Sequence, residues 1–323
     1  MKKRLITEKL VIFILILMIS IQSLDTFYGG SQNHNIFYSQ ASNPNIVLAG
    51  AKDITIPTED EILAGKTELE IFNYFLQNQK YIMHAGGTIG KDYYTNSYEA
   101  IKQNYKQGNR IFEIDLNFTS DNHLVLVHGW TEYDYLNRIG LPYNANKPVM
   151  SLTEFKNTKI KGKYTTMSIY DLINFMKEHK YSYFILNIKG GANEKVTTKA
   201  LKQLVKAAKN DSKILNRFVI WGYNSKVVKA IKNVYDFKLI ALNVKNYSKM
   251  TKGLNTTEEI INYCKKNKIS IILFQYNDYK QELVNAAKQN KISTFMYTVD
   301  SASFVTPYFN KGVTMAFTNK LRN

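Results

Sequence analysis

Between residues 81 and 317, short apolar runs alternate with helix-patterned segments, and no other feature limits the fold as tightly. The runs are Tyr81 to Met83, Ile111 to Leu116, Leu124 to Val127, Tyr183 to Ile188, Phe218 to Trp221, Leu239 to Leu242, Ser270 to Phe274, Thr294 to Thr298 and Met315 to Phe317. Each reads as a buried strand. Most of the segments between them read as amphipathic helices. Asn96 and Glu99 stand at capping-box spacing before a segment that ends at Gly108, and Ile169, Leu172, Ile173 and Met176 share one helical face. Repeated βα units over ~250 residues predict an α/β fold, a (β/α)8 TIM barrel rather than an open doubly wound sheet, because so many units close more naturally than they stay open. Nine runs compete for eight places, so one strand is peripheral.

One connection is abnormal. The chain between Asp115 and Leu124 has no room for a crossover helix, whereas parallel neighbours need roughly a dozen residues or more. Two readings remain. Phe118 to Asn122 returns down the barrel as extended chain before Leu124 climbs again, or the two runs form an antiparallel hairpin turning at Ser120, Asp121 and Asn122.

The N-terminus has the layout of an export signal: Lys2, Lys3 and Arg4 precede the unbroken apolar run Leu10 to Ile21. A bilayer span needs roughly 20 apolar residues, and this run is shorter unless it borrows Leu5, Ile6 and Leu24. No small-residue cleavage site follows Ile21. Residues 1–24 are therefore expected to be a signal anchor or a signal peptide, with the rest of the chain extracytoplasmic, membrane-anchored or secreted. Residues 25–57 are polar and aperiodic and read as a tether. Thr58 and Glu61 form a capping-box pattern, and Ile62, Leu63, Leu69, Ile71, Phe72 and Phe75 suggest short helices leading into a domain over 58–323.

A formal charge of +17 implies attraction to phosphate-rich partners, with an anionic membrane surface or a wall polymer among them. The lysines are dispersed and no nucleic-acid-binding signature is present, so nucleic acid is not expected as a partner. Cys264 is the only cysteine, which excludes an intrachain disulfide framework and a cysteine metal cluster.

The chemistry concentrates in Tyr81 to Trp130. Glu113 and Asp115 are one residue apart on a strand and so share a face, about 6–7 Å apart at the backbone, with Phe112, Ile114 and Leu116 opposite. Two carboxylates among apolar residues call for a cation, a hard metal such as Mg²⁺ or Ca²⁺, or a Lys or Arg. His84 ends one strand and is followed by Ala85, Gly86 and Gly87, small residues that let a ligand approach; His128 ends another. Two histidines flanking a carboxylate pair suit general acid–base work on a metal-held phosphate. Trp221, Tyr223, Trp130 and Tyr133 follow strand-like runs, where they either line a polyol pocket or pack beneath loops.

The order His84-Ala85-Gly86-Gly87, Asn96-Ser97-Tyr98-Glu99-Ala100, Glu113-Ile114-Asp115-Leu116 and Val125-Leu126-Val127-His128 resembles the glycerophosphodiester phosphodiesterase family of the PLC-like phosphodiesterase superfamily. The resemblance continues in Phe184 to Lys189, Tyr297 to Asp300 and Gly312 to Asn319. It implies a TIM barrel with its site at the C-terminal ends of the strands, hydrolysing glycerol phosphodiesters or a lipid head group. It further implies His84 and His128 as the acid–base pair, Glu113, Asp115 and Asn187 as ligands of a divalent metal, Ca or Mg, and Lys189 as the cation facing the phosphate, beside Trp221, which its place after a strand-like run makes a candidate substrate-binding residue. Three positions depart from the family pattern. An acidic ligand is replaced by Asn187, the acid after the second histidine by Gly129, and a Thr-Asp pair by Thr318-Asn319. Each lowers the negative charge, so weaker metal binding and a less supported His128 are expected. The alternative is a barrel that binds phosphorylated or anionic polymer without cleaving it.

Overall fold

The computed structural model describes residues 57–244 and 256–323. The export segment and most of the tether expected from the sequence lie outside these residues. Among the described residues, no helix is long and apolar enough to cross a membrane.

The described residues form eleven strands: β1 (Tyr81–Met83), β2 (Ile111–Phe118), β3 (Leu124–Leu126), β4 (Lys159–Ile160), β5 (Tyr164–Thr165), β6 (Tyr183–Ile188), β7 (Phe218–Gly222), β8 (Leu239–Asn243), β9 (Ile271–Gln275), β10 (Ser293–Tyr297) and β11 (Met315–Thr318). Eight of them, β1, β2 and β6 to β11, run parallel in a ring. The pairing of Met83 in β1 with Phe112 in β2 closes it. The (β/α)8 expectation is met.

The ninth run proves to be the peripheral one. β3 lies antiparallel on β2, with Leu116 opposite Leu126 and Phe118 opposite Leu124. The hairpin reading is therefore correct and the extended return is not. β2 continues past the barrel rim to Phe118, and the turn closes through Thr119, whose N–H donates to His123 O at 2.9 Å. β4 and β5 form a second hairpin that the sequence reading missed, since two-residue strands leave no periodic trace.

Side-chain alternation divides the strands between two cores. Phe112, Ile114, Leu116, Phe184 and Leu186 face outward and pack under helices such as Ile169–Glu178 and Glu194–Ala207. Ile111, Tyr183, Ile185, Leu239 and Phe295 face inward, where they meet Leu63, Ile71, Phe72 and Phe75. These last four come from the helices Glu59–Leu63 and Glu68–Asn78, each opened by a capping box from Thr58 or Thr67, and they fill one end of the barrel. Phe112 and Phe184 are fully buried and stacked, 5.3 Å between centroids. Phe112→Ala is expected to cost ~3–5 kcal/mol. Denaturant unfolding measures this, and an unchanged midpoint would contradict the packing described.

Candidate active site

With apolar residues filling the lower barrel, the alternation of β2 sends Glu113 and then Asp115 inward above them, both wholly buried. In the neighbouring strand β6, Asn187 sits opposite Asp115, and Lys189 follows just beyond the strand end. All four line one cavity of ≈530 Å³, together with His84, His128, Trp221 and Tyr223. His84, His128, Glu113, Asp115, Asn187, Lys189 and Trp221, the residues expected to act on metal and substrate, all line this cavity.

His84 opens a short 3₁₀ turn after β1. Its Nδ1 lies 2.9 Å from Asn319 Oδ1, and the Asn319 amide in turn donates to Asp300 Oδ2 at 2.8 Å. Because Asn319 presents its oxygen, His84 Nδ1 carries the proton and Nε2 is left as the acceptor, 3.7 Å from Glu113 Oε2. The small residues after His84 act differently from the expectation. Gly86 and Gly87 have φ of +85°, and a Cβ on Gly87 would lie 2.7 Å from Asn104 Nδ2. They let the loop pack on the helix Tyr98–Lys106, where Asn104 donates to Gly86 O and Thr88 O, and do not clear a path for a ligand.

His128 follows β3, and its Nδ1 lies 2.9 Å from Asp134 Oδ1. Gly129 therefore does not leave the histidine unsupported, which corrects the expectation from the sequence. The space that a side chain at 129 would occupy is already filled: a Cβ there would come within 2.2 Å of Asp134 Oδ2. Asp134 also caps the short helix it belongs to, accepting from Thr131 Oγ1 at 2.7 Å, and it pairs with Arg138. Burial pushes His128 below the ordinary histidine value, with Lys189 and Arg138 adding to the effect against the pull of Asp115 and Asp134. Tyr94 stands between the two histidines, its ring 4.4 Å from that of His84 and 6.2 Å from that of His128.

The two carboxylates are unequal. Burial, then the charge of Asp115, raises Glu113 above the usual carboxylate range. Burial also disfavours ionised Asp115, but Lys189 and both histidines outweigh it and hold the group at about 2. Lys189 Nζ is 2.6 Å from Asp115 Oδ1, and Asn96 brackets the same residue, donating to Oδ2 at 3.0 Å and accepting from its N–H at 2.9 Å.

The donor set suits a hard cation. Glu113 Oε1 is buried without a hydrogen-bond partner, the kind of orphaned anionic oxygen that a cation satisfies. Glu113, Asp115 and the Asn187 carbonyl would hold it. The fit is weaker than a three-carboxylate site. Among the described residues no group of three His, Cys, Asp or Glu forms a metal cluster, and Asn187 Oδ1 already accepts from Tyr223 OH at 2.6 Å while its amide donates to Asp115 Oδ1 at 3.2 Å.

The four aromatic candidates divide. Trp221 and Tyr223 line the cavity with rings nearly parallel at 15°. Trp130 packs on Tyr135 and Phe155 and donates to Phe118 O at 2.8 Å, whereas Tyr133 is exposed. In the basic stretch Lys156 to Lys163, Lys156 pairs with Asp171, and Lys161 and Lys163 both pair with Asp92. Tyr94, Asp134 and Arg138 were missed by sequence reasoning. Thr131 and Asp134 at capping-box spacing did mark a helix start, but nothing in that pattern turns the second carboxylate oxygen toward His128.

A closed parallel barrel whose polar cavity gathers two histidines, two buried carboxylates and a lysine defines a TIM barrel with a candidate active site in the usual place for that fold. The model of the glycerophosphoryl diester phosphodiesterase family matches residues 88–322, and the chain belongs to that family. No curated protein matches. Among solved structures, the chain is similar to an Oleispira antarctica phosphodiesterase in complex with the product sn-glycerol-3-phosphate, at 14% identity and a TM-score of 0.59, covering 77% of this chain and 95% of that one. It is also similar to a Galdieria sulphuraria protein described as a glycerophosphodiester phosphodiesterase, at 19% identity and a TM-score of 0.59, covering 74% and 93%. A Parabacteroides distasonis glycerophosphodiester phosphodiesterase gives 17% identity and a TM-score of 0.57, covering 74% and 92%.

Proposed function

We propose that the protein hydrolyses glycerol phosphodiesters, including lipid head groups or wall-polymer phosphodiesters, by a histidine acid–base pair acting on a phosphate seated in the ≈530 Å³ cavity. One observation carries this reading. Both histidines are held at Nδ1, His84 by Asn319 and His128 by Asp134, while both rings line the same cavity, where His84 Nε2 lies 3.7 Å from Glu113 Oε2.

In the reaction so proposed, one histidine removes the proton of the glycerol hydroxyl next to the phosphodiester as that oxygen bonds to phosphorus. The other protonates the oxygen of the departing alcohol as its bond to phosphorus breaks. Water then opens the cyclic phosphate with the two roles reversed, which returns both histidines to their starting states. His128, held below the ordinary value, is neutral near pH 7 and suited to take the first proton. Lys189 balances negative charge gathering on the phosphate. Trp221 and Tyr223 offer flat walls to the glycerol carbons. A divalent cation, Ca²⁺ or Mg²⁺, held by Glu113, Asp115 and Asn187, would supply further charge stabilisation of the phosphoryl oxygens.

The basic and apolar pattern of residues 1–24 supports an exported and membrane-tethered location for this activity. Turnover of several glycerophosphodiesters by the full chain, with chelator and with added Ca²⁺ or Mg²⁺, tests the reading. Metal-stimulated release of glycerol phosphate is expected. Binding of glycerol phosphate without turnover of any diester would replace the enzyme with a barrel that only binds.

A further inference from the structure

The helices Glu194–Ala207 and Ser225–Val234, which follow β6 and β7, enclose a second groove of ≈800 Å³ on the outside of the barrel. Five lysines line it, Lys195, Lys199, Lys202, Lys226 and Lys229, against a single acid, Glu194. All five are exposed and among the described residues none is in an ion pair; Lys199 Nζ donates to Asn122 Oδ1 and lies 4.5 Å from the Phe118 ring centroid, which leaves the other four to face an anion. Like charges on neighbouring turns of a helix repel, and an anion in the groove would relieve that repulsion.

The lysines form two rows. Lys195, Lys199 and Lys202 lie four and three residues apart on one helix face, rises of about 6 and 4.5 Å, and Lys226 and Lys229 stand across from them. Both helices that bear the lysines also start within a few residues of the cavity lining. On one wall, Lys189 of the cavity is followed by Gly190 to Asn193 and then by the helix bearing Lys195. On the other, Tyr223 of the cavity is followed by Asn224, which caps the helix bearing Lys226. Asn224 Nδ2 donates to Ala192 O at 3.1 Å, which ties the two loops together.

We infer that this groove is an extended subsite for a linear polymer of alcohol phosphodiesters, holding successive phosphates while one diester lies between His84 and His128. The inference rests on the proposed phosphodiesterase reading for its reaction and makes the substrate a polymer instead of a single head group. The shape favours a thread-like polyanion over a flat bilayer, because the charges line a concavity between two helices. Among the described residues no aromatic side chain lines the groove, so single-stranded nucleic acid would lack the stacking platforms it uses. A chain of small alcohol units needs none.

The test uses the full chain, its variant with Lys195→Gln, Lys202→Gln and Lys229→Gln, and a labelled poly(glycerol phosphate) as probe. Binding is measured by fluorescence polarisation across a salt series, and turnover is measured on glycerophosphoglycerol, a single diester, alongside the polymer. The variant is expected to lose at least about tenfold in polymer affinity and to flatten the plot of log Kd against log salt by ~2, as three fewer phosphate contacts require. Its turnover of the single diester is expected to stay within about twofold, with the loss on polymer appearing in KM. Unchanged polymer affinity and salt slope would overturn the inference. So would an equal loss on the single diester, or a loss confined to vesicles of anionic phospholipid. Absence of turnover on both substrates would sink the phosphodiesterase reading and leave the binding comparison to decide the groove.

Discussion

His128→Ala is expected to lower kcat by ~10²–10⁴-fold, the range over which a positioned acid or base contributes. The more informative result concerns what holds that histidine. Asp134 Oδ1 lies 2.9 Å from His128 Nδ1, a nitrogen that Arg138 Nη1 also approaches to 2.9 Å, and the rest of the Asp134 carboxylate fills the space beside Gly129. Asp134→Ala is therefore expected to lower kcat by about tenfold or more, with KM little changed, because the ring loses its orienting acceptor. Gly129→Asp alone brings a second carboxylate against the first and is expected to be destabilising and poorly active. The double variant Gly129→Asp with Asp134→Ala places one acid beside the histidine again and is expected to recover activity lost by either single change. Steady-state kinetics with a melting curve for each variant measures the cycle. Additive losses in the double variant would mean that Asp134 does not stand in for an acid at position 129.

The second large effect is expected at Asn187. Replacing it with aspartate adds a negative oxygen opposite Asp115, on the same cavity wall as the unpartnered Glu113 Oε1. It also removes the amide that now donates to Asp115 and alters the hold of Tyr223 on residue 187. Affinity for Ca²⁺ or Mg²⁺ is expected to rise on the order of tenfold or more, since ligand charge sets affinity at such sites. Isothermal calorimetry on the wild type and Asn187→Asp reads this directly. Equal affinities would remove residue 187 from the ligand set.

Much of the architecture was legible because buried parallel strands and amphipathic helices leave different periods in the chain. Ile111 to Leu116 illustrates this: the same alternation that made a strand also put Glu113 and Asp115 on one face, and the structure turns that face inward. The short link before Leu124 left two geometries open, and only pairing on β2 decided between them. Asn319 and Asp134 were harder. Each works through a side-chain direction fixed by a neighbour, Asp300 in one case and Thr131 in the other, and spacing along a chain does not encode that. Position 129 misled for the same reason. A glycine in sequence reads as a missing acid, whereas in space it is the opening that admits one from five residues further on.

The proposed reaction requires a phosphate bound between two histidines, and a crystal structure of the full chain with sn-glycerol 3-phosphate tests this most directly. The phosphate is expected in the β-barrel cavity, with its oxygens at about 3 Å from His84 Nε2, His128 Nε2 and Lys189 Nζ. A phosphate bound elsewhere, or within reach of only one of the two histidines, would contradict it.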